Sequence, residues 1–153
     1  MIIEQKLMEL GIILPEAPKP AAMYIPVKQI GNALFISGQI PFRNGELVYT
    51  GKVGKERTLE EAQNAAEICV INIIAAVKEY LGDLDQIKNV VKLQGFVNSE
   101  ATFNKAHIVI NSASKLLFEV FGESGRHART VVCTNELPLD ATVEIEAIFE
   151  TVT

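Results

Sequence analysis

Apolar residues recur three or four apart from Leu59 to Tyr80: Leu59, Ala62, Ala66, Cys69, Ile73, Val77 and Tyr80, widened by Ile68, Val70, Ile71 and Ile74. That period predicts a long helix with a face broad enough to lie on a sheet. Thr58-Leu-Glu-Glu61 places a hydroxyl at the N-cap and a carboxylate three residues on, and Gly82 closes the helix. A second helix is predicted over Phe103 to Phe121, with Ala106, Ile110, Ala113, Leu117 and Val120 at core spacing and Gly122 as its stop. A short helix over Ile2 to Leu10 uses Ile3, Leu7 and Leu10 and ends at Gly11. Three prolines between Leu14 and Pro20 forbid helix there and predict an extended arm.

The strands are predicted over Met23–Ile30, Ala33–Ile40, Leu47–Thr50, Ile87–Asn98, Arg129–Thr134 and Thr142–Val152. Pro26 pushes the first to an edge. Asn44-Gly45 signals a type I′ hairpin that sets Leu47–Thr50 antiparallel to the strand before it. The last strand alternates cleanly: Val143, Ile145, Ala147 and Phe149 point one way, and Thr142, Glu144, Glu146 and Ile148 the other. The order is βββαβαββ, an α+β mixed sheet with two helices on one face. Apolar residues on both strand faces, Leu34 and Ile36 against Ala33 and Phe35, Val90 and Phe96 against Val91 and Leu93, predict an oligomer that buries the second face. One domain is expected over 1–153, with the helix and Pro-rich arm in 1–22 and the core in 23–153.

With 153 residues, 48% of them hydrophobic, the chain can bury a core without metal or disulfide staples. Cys69 and Cys133 are too few for a disulfide scaffold, and a reduced, cytoplasmic setting is expected. Cys133 reads as a small buried residue. A net charge of −5 argues against a nucleic-acid-binding role. No apolar run approaches a membrane span, and the N-terminus lacks a signal-peptide cleavage site. His107 and His127 lack partners at metal-ligand spacing, and Gly51-Lys-Val-Gly54-Lys55 lacks the phosphate-loop spacing.

Three motifs in order carry a family resemblance. Gly31-Asn32-Ala-Leu-Phe-Ile-Ser37-Gly38-Gln39-Ile40-Pro41, Ala128-Arg129 with Leu137-Pro138, and Val143-Glu144-Ile145-Glu146-Ala147-Ile148 resemble signatures of the reactive intermediate deaminases, the Rid or YjgF-type family, formerly called endoribonuclease L-PSP. The resemblance covers roughly residues 20 to 152. It implies a chorismate-mutase-like α+β fold and a homotrimer whose sheets line a central barrel, with clefts between subunits. It also implies hydrolysis of 2-imino acids or their enamine tautomers to 2-keto acids and ammonia, with neither metal nor organic cofactor. The longer chain and the Gly122–Arg129 segment mark a divergent branch, with His127 in place of the family's proline, Thr130 for its serine and Val131 for its cysteine.

An imino acid needs an anchor for its carboxylate, an oriented water and a proton path to the leaving nitrogen. The resemblance assigns the anchor to Arg129, whose planar guanidinium can make two parallel hydrogen bonds. Position alone also fits a surface ion pair. Glu144 matches the family's catalytic glutamate and would hold the water; the pattern alone also fits a solvated outward carboxylate. Substrate contacts are expected from Gly38 and Ser37, otherwise a bend before Pro41, and from Tyr24, otherwise a half-buried aromatic. Asn111, otherwise a polar helix-surface residue, and the Val131 backbone complete the set. His127 lies near Arg129 in sequence and reads as a cleft or a loop histidine. Two other functions are weighed: a trimer that binds a small carboxylate metabolite without catalysis, and, ranked low, an endoribonuclease or translation inhibitor.

Overall fold

The computed structural model describes residues 2–20 and 22–153. Helix α1 (Ile2–Glu9) is followed by the extended Pro-rich arm and by strands β1 (Val27–Ile30) and β2 (Ala33–Gln39). A small ribbon of β3 (Phe42–Arg43) and β4 (Glu46–Leu47) comes next, then α2 (Leu59–Leu81), β5 (Ile87–Asn98), α3 (Ala106–Phe121), β6 (Ala128–Thr134) and β7 (Val143–Thr151). The main sheet has the order β1-β2-β7-β5-β6, with β5 and β6 parallel and the other pairs antiparallel.

Local chemistry sets the ends of these elements. Thr58 and Glu61 exchange both bonds of a capping box at the start of α2, and Gly82 closes that helix at φ 80°. Asn44 and Gly45 both take positive φ, 53° and 78°, as a type I′ turn requires. The Asp85 carboxylate accepts from Ile2 N and Ile3 N, both at 2.9 Å, so the first turn of α1 is capped from 82 or more residues away.

Both long helices cover one face. Val143, Ile145 and Phe149 of β7, Leu34 and Ile36 of β2, and Val90, Leu93 and Val97 of β5 bury there in one cluster with α2 and α3. Phe121 of α3 meets Phe149 edge-on, ring centres 5.9 Å apart. No helix among the described residues is long and apolar enough to cross a membrane.

Five expectations are corrected. The segment after the hairpin turn does not join the sheet: β4 pairs only with β3, and Thr50 makes a single bridge to Ala141. The first strand begins at Val27, because Met23 to Pro26 form an exposed approach, and α3 begins at Ala106. Register irregularities in β5 between Ile87 and Asn89 and between Val90 and Lys92 break the strict alternation. Val90 and Leu93 therefore share the buried face, while Phe96, paired with Glu144, looks out from the other. Cys133 is exposed rather than buried: it lies near the end of the edge strand β6, with its Sγ 3.5 Å from Phe103 O in the segment before α3.

The face away from the helices is laid out by register. Phe35, Ile148 and Lys92 form one row across the strands, Glu146, Gln94 and Thr130 the next, and Glu144, Phe96 and Val132 the third. Phe35 and Val132 are more than 40% exposed there, so apolar and charged groups share an uncovered sheet.

Candidate functional site

The structure divides the expected site residues into two groups. Gly38, Tyr24 and Glu144 line one cavity of about 420 Å³, together with Phe42, Leu139 and the Pro18–Pro20 end of the arm. A cavity of about 530 Å³ beneath the arm adjoins it through Pro18, Lys19 and Phe42. Arg129 and Asn111 meet elsewhere, on the helix side of the edge strand β6.

In the first group, Glu144 folds over Gly38, where a Cβ would stand 2.2 Å from Glu144 Oε2. The lack of a side chain on Gly38 is what admits the carboxylate. Glu144 is half-buried, with no cation and no hydrogen-bond donor on its side chain among the described residues. Burial, with a smaller push from Glu146, raises its pKa above the ordinary carboxylate value. Ser37 does not present a free hydroxyl. Its Oγ donates to Ile25 O at 2.7 Å and its N–H to Pro26 O at 2.8 Å, so it ties the segment after Tyr24 to β2. The cavity rim carries a feature that the sequence pattern did not reveal: Leu139 and Asp140 both adopt left-handed backbone, φ 57° and 59°. Asn98 Nδ2 holds that turn through Asp140 Oδ1 at 3.1 Å.

In the second group, Arg129 Nη1 donates to Asn111 Oδ1 at 2.9 Å and to Ser114 Oγ at 3.2 Å. Both hydrogens of Nη1 are thereby used, and Nε and Nη2 remain as the fork that a carboxylate can accept. Arg129 is partly buried and forms no ion pair among the described residues, and burial lowers its pKa from the ordinary value. Ser114 Oγ also lies 2.9 Å from His127 Nε2, and His127 Nδ1 lies 2.7 Å from Gly125 O. Sequence reasoning missed Ser114; its signal was the three-residue spacing from Asn111, which puts both on one helix face. Val131 shares the face of Arg129 and packs on the core with its side chain.

Arg129 and Glu144 do not meet within one copy of the chain. Arg129 shares a register row with Leu93 and Ala147, and Glu144 with Phe96 and Val132. Their positions are therefore about 10 Å apart across the strands and about 10 Å along them, with the side chains on opposite faces. Among the described residues no group of three His, Cys, Asp or Glu side chains could hold a metal ion.

Fold and motifs define an α+β protein of chorismate-mutase-like architecture. The chain belongs to the family described as "YjgF/chorismate mutase-like, putative endoribonuclease", whose pattern matches residues 4–150. It is 42% identical over 149 residues to Protein TCP17 of Trypanosoma cruzi, covering 97% of this chain and 93% of that one. It is 34% identical over 139 residues to a 2-iminobutanoate/2-iminopropanoate deaminase of Dermatophagoides farinae, covering 90% and 92%. Among solved structures, the Agrobacterium tumefaciens protein Atu1372, of unknown function, superposes with a TM-score of 0.92 at 48% identity, covering 98% and 92%. Escherichia coli TdcF with bound serine superposes at 0.65 and 25%, covering 88% and 93%. The drop in similarity between these two structures accords with a divergent branch.

Proposed function

We propose that this chain hydrolyses reactive 2-imino acids or their enamine tautomers to 2-keto acids and ammonia, in a site built between copies of a homotrimer in the cytoplasm. The observation that carries this reading is a pair of uncompensated, partly buried charges. Arg129 is held by the neutral acceptors Asn111 and Ser114, and Glu144 lies over Gly38 with no cation beside it. A cation fixed by neutral groups is poised for an anion from outside the fold. The substrate carboxylate supplies it, taken by the Arg129 Nε and Nη2 fork. Because the two charges lie on opposite faces within one copy, the Arg129–Asn111 edge of one subunit closes on the Gly38–Tyr24–Glu144 cavity of another. The uncovered sheet face supplies the surface for that assembly.

In this site Glu144 accepts a hydrogen bond from water and directs its oxygen at the C=N carbon. Its raised pKa suits it to take the water proton and return one to the departing nitrogen. Addition gives a carbinolamine, and loss of ammonia from it leaves the keto acid. Gly38, free of a side chain, leaves the space in which the Glu144 carboxylate lies against the strand at the cavity wall.

A trimer that binds a small carboxylate without turnover is the second reading. It is favoured by the relative that holds serine, an amino acid with the same carboxylate handle. A ribonuclease is disfavoured: the net charge is −5, and His127 uses both ring nitrogens on Gly125 and Ser114. The deciding experiment generates 2-imino acids in situ with an amino-acid oxidase and follows loss of their semicarbazide adduct. Accelerated hydrolysis supports the enzyme. Pyruvate or serine binding without any acceleration replaces it with the binding trimer.

A further inference from the structure

His127 stands where the resembling family carries proline, and it is wired to the candidate anchor. The wiring fixes its proton. Nδ1 lies 2.7 Å from the Gly125 carbonyl, which only accepts, so Nδ1 carries the hydrogen. In the neutral ring Nε2 is then a lone pair, 2.9 Å from Ser114 Oγ, and the serine hydroxyl donates to it. With its hydrogen committed to the ring, Ser114 Oγ is left as an acceptor, and Arg129 Nη1 donates to it at 3.2 Å. In the neutral ring the direction of every bond from Gly125 to Arg129 follows from the first.

We propose that His127 is a positioning residue for Arg129: as the neutral ring it orients the Ser114 hydroxyl, and Ser114 with Asn111 locks the guanidinium so that the Nε and Nη2 fork faces the substrate. The consequence for binding rests on the reading of Arg129 as carboxylate anchor; the geometric consequence does not.

Protonation of His127 reverses its bond to Ser114. Nε2 becomes a donor aimed at Ser114 Oγ, the serine loses its acceptor, and two cations then share one hydroxyl oxygen. Arg129 is released from that side. Burial, and secondarily the Arg129 charge, hold His127 below the ordinary histidine value despite the opposing Gly125 bond, which keeps the ring neutral at neutral pH. Other charges nearby are engaged elsewhere: Glu123 with Arg126, and Lys115 with Glu119.

The test uses the full chain, with folding and assembly checked at each pH. Nitrogen-15 NMR reads rotation of the Arg129 guanidinium about Nε–Cζ at about pH 7.5 and at a lower pH where the ring signals show His127 protonated. Wild type should rotate slowly at the higher pH and about tenfold faster at the lower, the scale of one hydrogen bond of roughly 1.4 kcal/mol. Ser114→Ala should rotate fast at both. His127→Gln, which keeps an uncharged acceptor near the Nε2 position, should rotate slowly at both; His127→Asn serves if it fails to fold. Equal rates in wild type and Ser114→Ala, or an unchanged pH response in the uncharged variant, overturn the proposal. Calorimetry with pyruvate gives the second readout: affinity about tenfold weaker at the lower pH in wild type and flat in His127→Gln. If Arg129→Ala binds pyruvate as wild type does, the anchor reading falls while the rotation rates still decide the relay.

Discussion

Gly38 and Glu144 pack so closely that a Cβ on the glycine would stand 2.2 Å from the carboxylate oxygen. The contacting atom is the far end of a flexible side chain, so Gly38→Ala displaces the carboxylate rather than the strand. The melting temperature should move by no more than about 5 °C, while imine hydrolysis falls by about 10–100-fold, the scale for misplacing a reacting group by about 1 Å. Calorimetric melting and the semicarbazide assay on the same preparation separate the two effects. A large loss of stability with unchanged turnover per folded trimer would remove Gly38 from the site.

Glu144→Gln separates chemistry from stability in the opposite way. Turnover should drop by about 10²–10⁴-fold, with keto-acid affinity largely kept. The raised folded-state pKa means that the folded chain holds a proton the unfolded chain has released between the ordinary carboxylate value and the raised one. The contribution of Glu144 therefore declines as pH rises through that window, and above it the ionised form opposes folding. Glu144→Gln should melt higher than wild type near pH 7, and the gain should shrink as pH is lowered through the window. A variant that melts lower at neutral pH and keeps its activity would make Glu144 structural.

Arg129→Lys keeps the charge and loses the fork. The bonds that Nη1 makes to Asn111 and Ser114 and the pair offered by Nε and Nη2 cannot all be replaced by one ammonium. A loss of roughly 2–4 kcal/mol in keto-acid binding or transition-state stabilisation is expected. Titration calorimetry with 2-oxobutanoate checks it, and wild-type affinity in the lysine variant would exclude bidentate anchoring.

The uncovered sheet should be the surface that assembles. Light scattering should give three times 16.8 kDa at micromolar concentration. Phe35→Arg, at a position 44% exposed on that face, should leave the protomer fold intact and lower the mass. A stable wild-type monomer would remove the shared site along with the trimer.

The capping box gives a control far from the chemistry. Thr58→Ala removes the acceptor for Glu61 N at 3.1 Å and should cost about 1 kcal/mol in denaturant unfolding, while Thr58→Ser should cost little.

Much of the architecture was legible because its signals are local. The stripe from Leu59 to Tyr80, the Thr58–Glu61 capping box, Asn44-Gly45 and the alternation after Val143 each depend on residues within a turn or two of one another, and each element forms where its pattern lies. The same alternation placed Glu144 on the face opposite Val143 and Ile145. Motif resemblance, not pattern, singled out Arg129 and Glu144 from other charged residues.

What the sequence could not decide depended on pairing partners. The pattern after Asn44-Gly45 fits a sheet strand equally well, but hydrogen-bond partners settle where it lies, and β7 occupies the place beside β2. Register irregularities in β5 put Val90 and Leu93 on one face, because a local break in pairing reverses every later side chain. The exposure of Cys133 accompanies the edge position of its strand, which has a neighbour on one side only. At the site, tertiary structure alone joined Asn111, Ser114 and His127 to Arg129, and it alone set Arg129 and Glu144 on opposite faces. Periodicity assigns a face within one element; only the packing of α3 on β6, and the order of strands between β6 and β7, decides which faces meet.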